Sequence, residues 1–439
     1  MKKRIDVIAA GHICLDIIPE FISGEKRTTK ELFVPGKLIN IDRASLSTGG
    51  SVPNTGIALA RLGIGTALMG KVGTDPFGKM IGDIVAAEGV DSSILISDAD
   101  STSYSIIFPI PGHDRIIFHN TGANDTFNAG DPDYSAIRDV KLFHFGYPPL
   151  MKRMYEKEGD ELESLLKKVK ETGATTSLDM SLPDPKSPAG MVDWQVILSK
   201  VLKYVDIFVP SIEEIMYMVA PEAYQELHND DVDTDPLDNL SIDKLPALGE
   251  WLIGMGVGIV VLKCGSKGFY IKTANKERLT EMGRAKPGDI SEWANREVHC
   301  ECYSVEPVRS AAGSGDNSIA GFLAAFLHGS TVEDSIKIAC VVGAQNVLVY
   351  DTISGVKDWE EVAKLMDFDT STTAQKLGMT SLQEKSLKKK KYNQKEIDRI
   401  AVLIINSKMT YEDIVKKLDK GTSLEKLEKS IRDKGGASK

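Results

Sequence analysis

The amino-acid sequence predicts an α/β domain with a mostly parallel central sheet and helices on both of its faces. From Leu142 onward, short apolar strand-like stretches alternate with stretches of helical periodicity. In addition, two glycine-bearing loops, near residues 50 and 313, each run directly into an apolar helix. Because ligands bind beyond the carboxyl ends of parallel strands, we expect the functional site at that edge of the sheet.

The elements of the first third mix strands, turns and helices. Ile5–Gly11 reads as a short buried strand. Residues 17–47 combine β-branched and polar residues around Pro35-Gly36, which predicts exposed strands and a hairpin. A second strand pair is predicted at Tyr104–Phe108 and Arg115–His119.

From Leu142 the alternation becomes regular. Strands are predicted at Leu142–Phe145, Thr175–Asp179, Ile207–Pro210, Ile259–Lys263 and Tyr270–Lys272, and helices at Gly159–Thr172, Asp193–Lys203, Glu213–Val219, Gly249–Met255 and Val332–Val349. Two polar stretches, 221–243 and 274–299, interrupt this pattern. The first is acidic but lacks the spacing and glycine of a calcium loop, so we expect a solvated loop.

Composition and cysteine usage describe an ordinary globular chain. Of its 439 residues, 42% are hydrophobic, and no apolar run approaches the length of a membrane span. The N-terminus carries no leader-like apolar stretch, so a cytoplasmic location is expected. Five scattered cysteines argue against a disulfide framework, and Cys300 and Cys302 are expected to be reduced thiols rather than metal ligands.

The charge is distributed unevenly. Residues 371–439 contain 17 Lys and Arg against 9 Asp and Glu, a net charge of +8, so the preceding residues carry −18. We expect a basic linker and a small helical appendage there, with Thr410 and Asp413 capping one helix. Self-association is the favoured role for this basic segment, and nucleic-acid binding is unlikely because no nucleic-acid-binding motif is present.

The loop Gly313-Ser314-Gly315-Asp316 stands at the start of an apolar helix. Glycine lets a backbone approach a ligand closely, and a helix start offers unpaired N–H groups to an anion. On this motif alone, two interpretations stay open. Asp316 is either an ordinary helix cap or, with a phosphate bound at the helix start, a base for an attacking hydroxyl.

Three glycine motifs together decide between these interpretations. Gly49-Gly50-x-x-x-Asn54, Gly73-x-Asp75-x-x-Gly78 and Gly313-x-Gly315-Asp316 stand in the order and spacing of the PfkB sugar kinases, also called ribokinase-like kinases. The sequence resembles this family from Ile5 to about Asp367. The resemblance implies a ribokinase-like kinase domain over residues 1–370, with a β-lid from about 17–47 and 101–119, followed by an extension over 371–439.

The resemblance also implies roles for the motif residues. Asp16, Gly49, Gly50 and Asn54 would hydrogen-bond the hydroxyls of the sugar. Asp316 would take the proton of a primary alcohol as its oxygen attacks the γ-phosphorus of ATP. The backbone of Gly313, Ser314 and Gly315 would stabilise the transferred phosphoryl group.

Further family positions imply the nucleotide and magnesium sites. The segment Lys263-Cys264-Gly265-Ser266-Lys267-Gly268 matches the family's Thr-x-Gly-x-x-Gly, with Lys263 in place of threonine. Lys263, Gly265 and Gly268 are thus expected beside the phosphates, and Asn346 at the adenine. Glu214 would organise Mg²⁺ through water, with Asp179 as a second candidate and Ser211 in place of the family's asparagine.

Other expectations follow from the resemblance. Many members read Asp-Thr-Thr before the glycine motif that corresponds to Gly313-x-Gly315-Asp316, where this chain has Ser310-Ala311-Ala312, so we expect weak or absent activation by potassium. The lid would build a homodimer, and its residues Lys37, Ile39 and Phe108 would select the substrate.

The function expected from these residues is ATP- and Mg²⁺-dependent phosphorylation of the primary hydroxyl of a sugar. A nucleoside kinase and a non-catalytic sugar sensor on the same fold remain alternatives. A dinucleotide-binding dehydrogenase is disfavoured because Gly11-His12-Ile13-Cys14-Leu15 lacks the glycine spacing required after a first strand.

Overall fold

The computed structural model describes residues 4–20, 32, 34–92, 94–97, 99–108, 116–228, 236–303, 305, 308–349 and 351–366, together with parts of the segment 387–429. The chain divides into two compact units, Met1–Met366 and Asp367–Lys439. Among the described residues, none of the helices combines the length and the apolar character needed to cross a membrane.

The first unit is built on two main sheets and a short strand pair. Its strands, numbered in chain order, are β1 (Val7–Gly11), β2 (Cys14–Pro19), β3 (Ala44–Gly49), β4 (Thr66–Met69), β5 (Lys71–Gly73), β6 (Asp91–Ser92), β7 (Leu95–Ser97), β8 (Tyr104–Phe108), β9 (Ile116–Asn120), β10 (Leu142–Gly146), β11 (Thr175–Leu178), β12 (Ile207–Phe208), β13 (Ile259–Lys263), β14 (Phe269–Thr273) and β15 (Glu297–Cys300).

In the described residues the central sheet has nine strands, in the order β15-β14-β13-β12-β11-β10-β1-β4-β6. Neighbouring strands from β6 to β13 in this order run parallel. Strand β14 pairs antiparallel with both β13 and β15. Every residue of β1 is buried, as expected for a parallel strand covered on both faces. The carboxyl ends of β1, β10, β11, β12 and β13 therefore meet at one edge of the sheet.

The helices cover both faces of this sheet. Those of the first unit are α1 (Ser51–Arg61), α2 (Pro76–Ala87), α3 (Tyr134–Ile137), α4 (Lys152–Tyr155), α5 (Asp160–Glu171), α6 (Pro188–Met191), α7 (Trp194–Val201), α8 (Ile212–Val219), α9 (Pro221–Leu227), α10 (Leu245–Gly254), α11 (Lys276–Thr280), α12 (Ile290–Trp293), α13 (Ser314–Leu327), α14 (Val332–Asn346) and α15 (Trp359–Met366). Short 3₁₀ segments lie at Gly122–Thr126, Pro148–Leu150, Glu156–Gly159, Leu202–Tyr204, Pro236–Asn239, Ile242–Lys244 and Gly265–Lys267.

Two apolar layers result from the alternation of side chains along each strand. On β12, Phe208 packs into the layer formed with α5, α7 and α8, while Ile207 packs into the layer formed with α1, α13 and α14. Helix α13 is buried almost throughout because it lies between the sheet and α14. This packing fixes the N-terminal end of α13 at the carboxyl edge of the sheet.

A second sheet of four strands, in the order β3-β2-β8-β9, lies within the segments predicted to form the lid and is called the lid sheet below. Strand β2 pairs antiparallel with β3 and parallel with β8, and β8 pairs antiparallel with β9. One row of register partners crosses it through Ser47, Asp16, Ser105 and His119. The parts of the expected lid at 21–31, 33 and 109–115 lie outside the described residues.

The two polar stretches are more ordered than the sequence predicts. In the described part of 221–243, Leu227 of helix α9, Leu237 of a 3₁₀ segment and Leu240 are buried in the core, so the prediction of a solvated loop is wrong there. The stretch 274–299 supplies α11, α12 and the edge strand β15, anchored by Trp293, which is 1% exposed. In both cases a few well-spaced apolar residues outweigh a polar composition.

The second unit contains α16 (Tyr411–Asp419). Thr410 caps it by accepting from the Asp413 N–H at 3.2 Å, while the Asp413 carboxylate accepts from the Thr410 N–H at 3.2 Å, the reciprocal cap that the sequence predicts. An apolar cluster of this unit comprises Leu387, Ile397, Ile400, Leu403, Ile414, Leu418 and Leu427. The division into a kinase domain over 1–370 and an extension over 371–439 stays a prediction.

Candidate active site

Asp316 lies in the first turn of α13, at the carboxyl edge of the central sheet. Gly313 precedes the helix with φ 71°, and a Cβ there would stand 2.6 Å from the Thr352 carbonyl oxygen, so only glycine fits. Gly315 has no such restriction, since the nearest atom to a Cβ would be Lys263 Cδ at 3.8 Å. The Ser314 hydroxyl donates to the Ala311 carbonyl oxygen at 2.9 Å and closes the turn.

The carboxylate of Asp316 accepts hydrogen bonds from two distant side chains instead of capping the helix. Asn54 Nδ2 donates to Oδ2 at 2.9 Å, and the Tyr147 hydroxyl lies 2.8 Å from Oδ1 and 2.9 Å from Oδ2. The side chain of Asp316 is 3% exposed. The helix-cap interpretation of this residue is therefore wrong, because its carboxylate is committed to partners outside the helix.

Tyr147 is the residue of this network that the sequence analysis missed. It follows β10 directly, and its backbone adopts a left-handed conformation with φ 66°, which turns the chain at the end of the strand. The available signal was its position, since a polar side chain immediately after a buried parallel strand stands at the ligand-binding edge.

Burial controls the protonation of this network. It raises the pKa of Asp316, and the hydrogen bond from Asn54, the charge of Lys263 and the hydrogen bond from Tyr147 oppose that shift. Burial and then the neighbouring Asp316 raise the pKa of Tyr147 well above its ordinary value. Tyr147 therefore stays protonated and serves as a donor to the carboxylate.

The residues expected to hold a sugar cluster beside this network. Asp16, on β2, is 5% exposed, and a Cβ on Gly49 would collide with its carboxylate. Gly50 has φ 90°, and a Cβ there would collide with the ring of His12. Both positions thus require glycine, because the side chains of Asp16 and His12 lie too close to admit a Cβ.

Asn54 makes a contact with Asp316 that the sequence does not predict. Its amide nitrogen is already used by Asp316, whereas its Oδ1 is buried and has no hydrogen-bond partner among the described residues. The atom available for a ligand is therefore an acceptor. Asn54 thus connects the Gly49-Gly50 motif to Asp316.

Two histidines and a cysteine lie beside Asp16 and were not predicted as site residues. His12 Nε2 stands 3.2 Å from Nε2 of His119 on β9, and the Cys14 thiol donates to Asp16 Oδ1 at 3.4 Å. Burial lowers the pKa of His12 well below its ordinary value and also lowers that of His119, so both imidazoles are neutral near pH 7. The ring centroids of His12 and Tyr147 are 6.1 Å apart.

Lys263, at the end of β13, forms a buried ion pair. Its Nζ donates to Asp179 Oδ1 at 2.6 Å and lies 3.9 Å from Glu214 Oε2. Burial alone would lower the pKa of Lys263, but the charges of Asp179 and Glu214 outweigh it and the pKa is raised. The expectation that Lys263 lies beside the phosphates stays a prediction, and its contact with Asp179 is one that the sequence did not predict.

Glu214 and Ser211 form a reciprocal cap on α8. The Ser211 N–H donates to Glu214 Oε2 at 2.6 Å, and the Glu214 N–H donates to the Ser211 hydroxyl at 3.1 Å. Burial raises the pKa of the Glu214 carboxyl, an effect that Lys263 opposes. The serine that replaces the family's asparagine thus fixes the orientation of the glutamate.

A family model for pfkB family carbohydrate kinases matches residues 24–359. The chain belongs to the PfkB family of carbohydrate kinases. An uncharacterised sugar kinase of Archaeoglobus fulgidus is 26% identical over 300 residues, which cover 68% of this chain and 98% of the relative. The 2-dehydro-3-deoxygluconokinase of Bacillus subtilis is 24% identical and covers 75% of this chain and 90% of its own length.

Solved structures of two other kinases have the same fold as this PfkB-type kinase. An Arabidopsis thaliana ribokinase, solved with ribose and ATP, has a TM-score of 0.61 at 19% identity, over 84% of this chain and 100% of the ribokinase. A fructokinase of Xylella fastidiosa with bound ATP also has a TM-score of 0.61, at 16% identity, over 84% and 100% of the two chains. The ribokinase-like fold and the enzyme class predicted from the sequence, an ATP-dependent carbohydrate kinase, are thereby confirmed.

The expected nucleotide residues of this kinase make packing contacts with the protein. Gly265 and Gly268 have φ 52° and 87°, and side chains there would collide with Leu237 and with the backbone at Cys300. Asn346, fully buried, donates to the Ala312 carbonyl oxygen at 2.8 Å, so it is not a helix-surface amide. It holds the loop that leads to Asp316.

The three lid residues expected to select the substrate differ in exposure and in secondary structure. Lys37 is exposed and Ile39 is half-buried, both in irregular backbone between β2 and β3. The rings of Phe108, on β8, and Phe118 are in edge-to-face contact, with their centroids 5.8 Å apart.

The five cysteines form no disulfide, and Cys340 Sγ lies 3.9 Å from Cys300 Sγ, a proximity that their spacing in the sequence does not reveal.

Proposed function

We propose that this kinase transfers the γ-phosphoryl group of ATP to the primary hydroxyl of a sugar, with Asp316 as the general base. The observation that carries the proposal is the buried Asp316 carboxylate at the start of α13, which accepts from Asn54 and Tyr147. A carboxylate aligned by two donors and kept from water is suited to receive one proton from a bound hydroxyl.

The proposed step is an in-line displacement. The substrate oxygen forms a bond to the γ-phosphorus as the bond to the β–γ bridging oxygen breaks, ADP leaves, and the hydroxyl proton passes to Asp316. The N–H groups at the start of α13, which follow Gly313 in the chain, stabilise the negative charge that accumulates on the transferred phosphoryl group. Tyr147 and Asn54 hold the carboxylate in one orientation while it changes its protonation state.

The charges beside the base fit a hydrated magnesium ion. Asp179 Oδ2 and the Ser181 hydroxyl are buried without a hydrogen-bond partner among the described residues, and the Glu214 carboxylate lies nearby. Mg²⁺ prefers such oxygen ligands and keeps several waters. Asp179 and Glu214 would hold the ion, which when bound neutralises charge on the phosphates. Lys263 supplies a fixed positive charge at the same place.

The sugar is proposed to lie between the face of the lid sheet that carries Asp16 and the start of α1. Asp16, Gly49, Gly50 and Asn54 line this space, and Ser105 on β8 and His119 on β9 lie in the same cross-strand row as Asp16. A closed lid excludes water and so suppresses hydrolysis of ATP. Relatives whose names specify 2-dehydro-3-deoxygluconate or fructose as substrates indicate which acids and ketoses to test first.

A screen for ADP release tests the proposal. Wild-type protein is incubated with Mg²⁺-ATP and panels of sugars, sugar acids and nucleosides, beside the variants Asp316→Asn and Asp83→Asn. Asp83 lies exposed on α2 and serves as the matched control. We expect sugar-dependent turnover that only Asp316→Asn abolishes. Preference for a nucleoside would make this a nucleoside kinase, and turnover by none of the substrates would favour the sensor interpretation.

The lid is also proposed to join two copies of the chain. Leu46, Ile117 and Phe118, on lid strands, are 45%, 48% and 51% exposed, an unusual number of large apolar side chains for one small sheet. Sedimentation of wild type and of Phe118→Glu tests this. A monomeric wild type, or a dimer that persists in the variant, contradicts the proposal.

A further inference from the structure

Three metal-ligating side chains converge at the junction of the central sheet and the lid. His12 lies in the turn after β1, Cys14 opens β2 and His119 lies on β9. One ligand atom from each of the three lies within 4.8 Å of the other two. His119 is more than 100 positions from His12 and Cys14 in the sequence, so only the pairing of the lid strands brings it to them.

We propose that His12, Cys14 and His119 form a binding site for one transition-metal ion of the Zn²⁺ class. Two imidazole nitrogens and one sulfur are ligands that zinc and cobalt prefer, whereas Mg²⁺ prefers oxygen. This site is therefore distinct in chemistry from the magnesium site of the proposed reaction.

The distances between the ligand atoms fit this class of ion. With a metal–nitrogen distance of about 2.0–2.1 Å, two nitrogens of a tetrahedral site stand roughly 3.3–3.4 Å apart. The Nε2 atoms of His12 and His119 are 3.2 Å apart. Three protein ligands leave a fourth position for water or for an oxygen of a bound substrate.

Neighbouring groups orient these ligands. His119 Nδ1 lies 3.1 Å from the Ser105 hydroxyl, a contact that would keep Nε2 as the coordinating atom. The Cys14 thiol lies 3.4 Å from Asp16 Oδ1 and 3.7 Å from the same Ser105 hydroxyl. On binding, the metal–sulfur bond replaces the S–H bond, and the thiol proton is released to solvent.

An ion at this position would tie lid strand β9 to the turn that precedes Asp16. The ligand His12 also stands next to Tyr147, which contacts Asp316. We therefore expect Zn²⁺ to compete with the sugar and inhibit the kinase. This consequence rests on the proposed function, whereas the binding of the ion does not.

The experiment measures binding without turnover. The reduced full-length protein is titrated with Co²⁺, followed by the thiolate-to-cobalt charge-transfer absorption, and the ion is then displaced with Zn²⁺. The test variants are Cys14→Ser and His119→Gln. The controls are Cys340→Ser, which removes a thiol near Cys300, and His328→Gln, whose ring stacks on Trp359.

We expect one Co²⁺ per chain, a charge-transfer band that Cys14→Ser abolishes, and an affinity that falls by more than about 10–100-fold in His119→Gln. Both controls should bind as wild type does. A band that survives Cys14→Ser but is lost in Cys340→Ser would move the site to the other thiols and overturn the proposal. An absence of Co²⁺ uptake by the wild type would show that the two histidines only hydrogen-bond each other, whatever the outcome of the kinase assays.

Discussion

The Tyr147 hydroxyl lies 2.8 Å and 2.9 Å from the two carboxylate oxygens of Asp316, although 169 positions separate these residues. Tyr147 has a single proton to donate, so it spans both oxygens of the proposed base. The contact links the end of β10 to the first turn of α13. The pKa of Asp316 therefore depends on Tyr147, which lies outside the glycine motifs.

Replacing Tyr147 with phenylalanine tests this dependence. Because the hydrogen bond from Tyr147 opposes the rise in the pKa of Asp316, Tyr147→Phe should raise that pKa further. The acid limb of the kcat/KM profile should move to higher pH. Loss of a hydrogen bond to a charged group costs about 1.5–3 kcal/mol, so kcat should fall roughly 10–100-fold. The control is Tyr217→Phe, whose hydroxyl donates to the Gly190 carbonyl oxygen. An unmoved acid limb would contradict the role assigned to Tyr147.

Replacing Asp316 with asparagine should remove activity but stabilise the fold. General-base catalysis typically contributes about 10²–10⁴-fold, and kcat should fall by that factor. Since burial raises the pKa of Asp316 in the folded state, its ionisation destabilises the fold above that pKa, and this penalty disappears below the unfolded pKa. Asp316→Asn should therefore raise Tm at pH 7.5 and lose that advantage near the ordinary pKa of an aspartate. A Tm that falls at pH 7.5 would show that the carboxylate is net stabilising.

Lys263→Met isolates the buried ion pair. The substitution removes the partner of the fully buried Asp179, whose pKa burial raises well above its ordinary value while the charge of Lys263 opposes that rise. Removing one member of a buried ion pair costs about 3–5 kcal/mol. The control is Lys272→Met, whose partners Glu250 and Glu297 are 72% and 40% exposed and contribute about 0–1 kcal/mol. Urea unfolding measures both variants, and adding Asp179→Asn to Lys263→Met should recover part of the loss. Equal costs for the two lysines would mean that Asp179 is not charged in the folded protein.

Gly49→Ala tests the packing around Asp16. The added methyl group would collide with the Asp16 carboxylate and displace it. We expect the KM for the sugar to rise while the KM for ATP stays unchanged, because the loop at Gly313, which we propose faces the phosphates, is not touched. The matched control is Gly82→Ala in α2, where no atom lies within 4 Å and the helix should gain up to about 1 kcal/mol. An unchanged KM for the sugar would separate Asp16 from substrate binding.

Potassium should have little effect on the rate, because Ser310-Ala311-Ala312 lacks the carboxylate and hydroxyls of many relatives. Initial rates in potassium and in a bulky organic cation measure this. The triple variant Ser310→Asp, Ala311→Thr, Ala312→Thr should acquire a potassium response. The Ser310 hydroxyl accepts from the Ala312 N–H at 3.1 Å, a bond that an aspartate can replace. Large stimulation of the wild type by potassium would overturn the prediction.

The sequence by itself determined most of the alternating strands and helices after Leu142 and the glycine motif that contains Asp316. Local patterns suffice for this, because hydrophobic periodicity and glycine positions act within about ten residues. The predicted strand Ile259–Lys263 and the cap formed by Thr410 and Asp413 agree with the structure for that reason. Composition misled where a few apolar residues, such as Leu237 and Trp293, anchor a polar stretch in the core.

Only the tertiary structure decided which side chains meet. The pairing of Tyr147 with Asp316, of Lys263 with Asp179 and of His12 with His119 each joins segments separated by more than 80 positions. Such contacts arise because parallel strands bring their carboxyl ends to one edge and the lid sheet folds over that edge. The sequence thus determined that a carboxylate follows a glycine loop at a helix start. The packing of β10, α1 and β13 around that helix decided which groups surround the carboxylate.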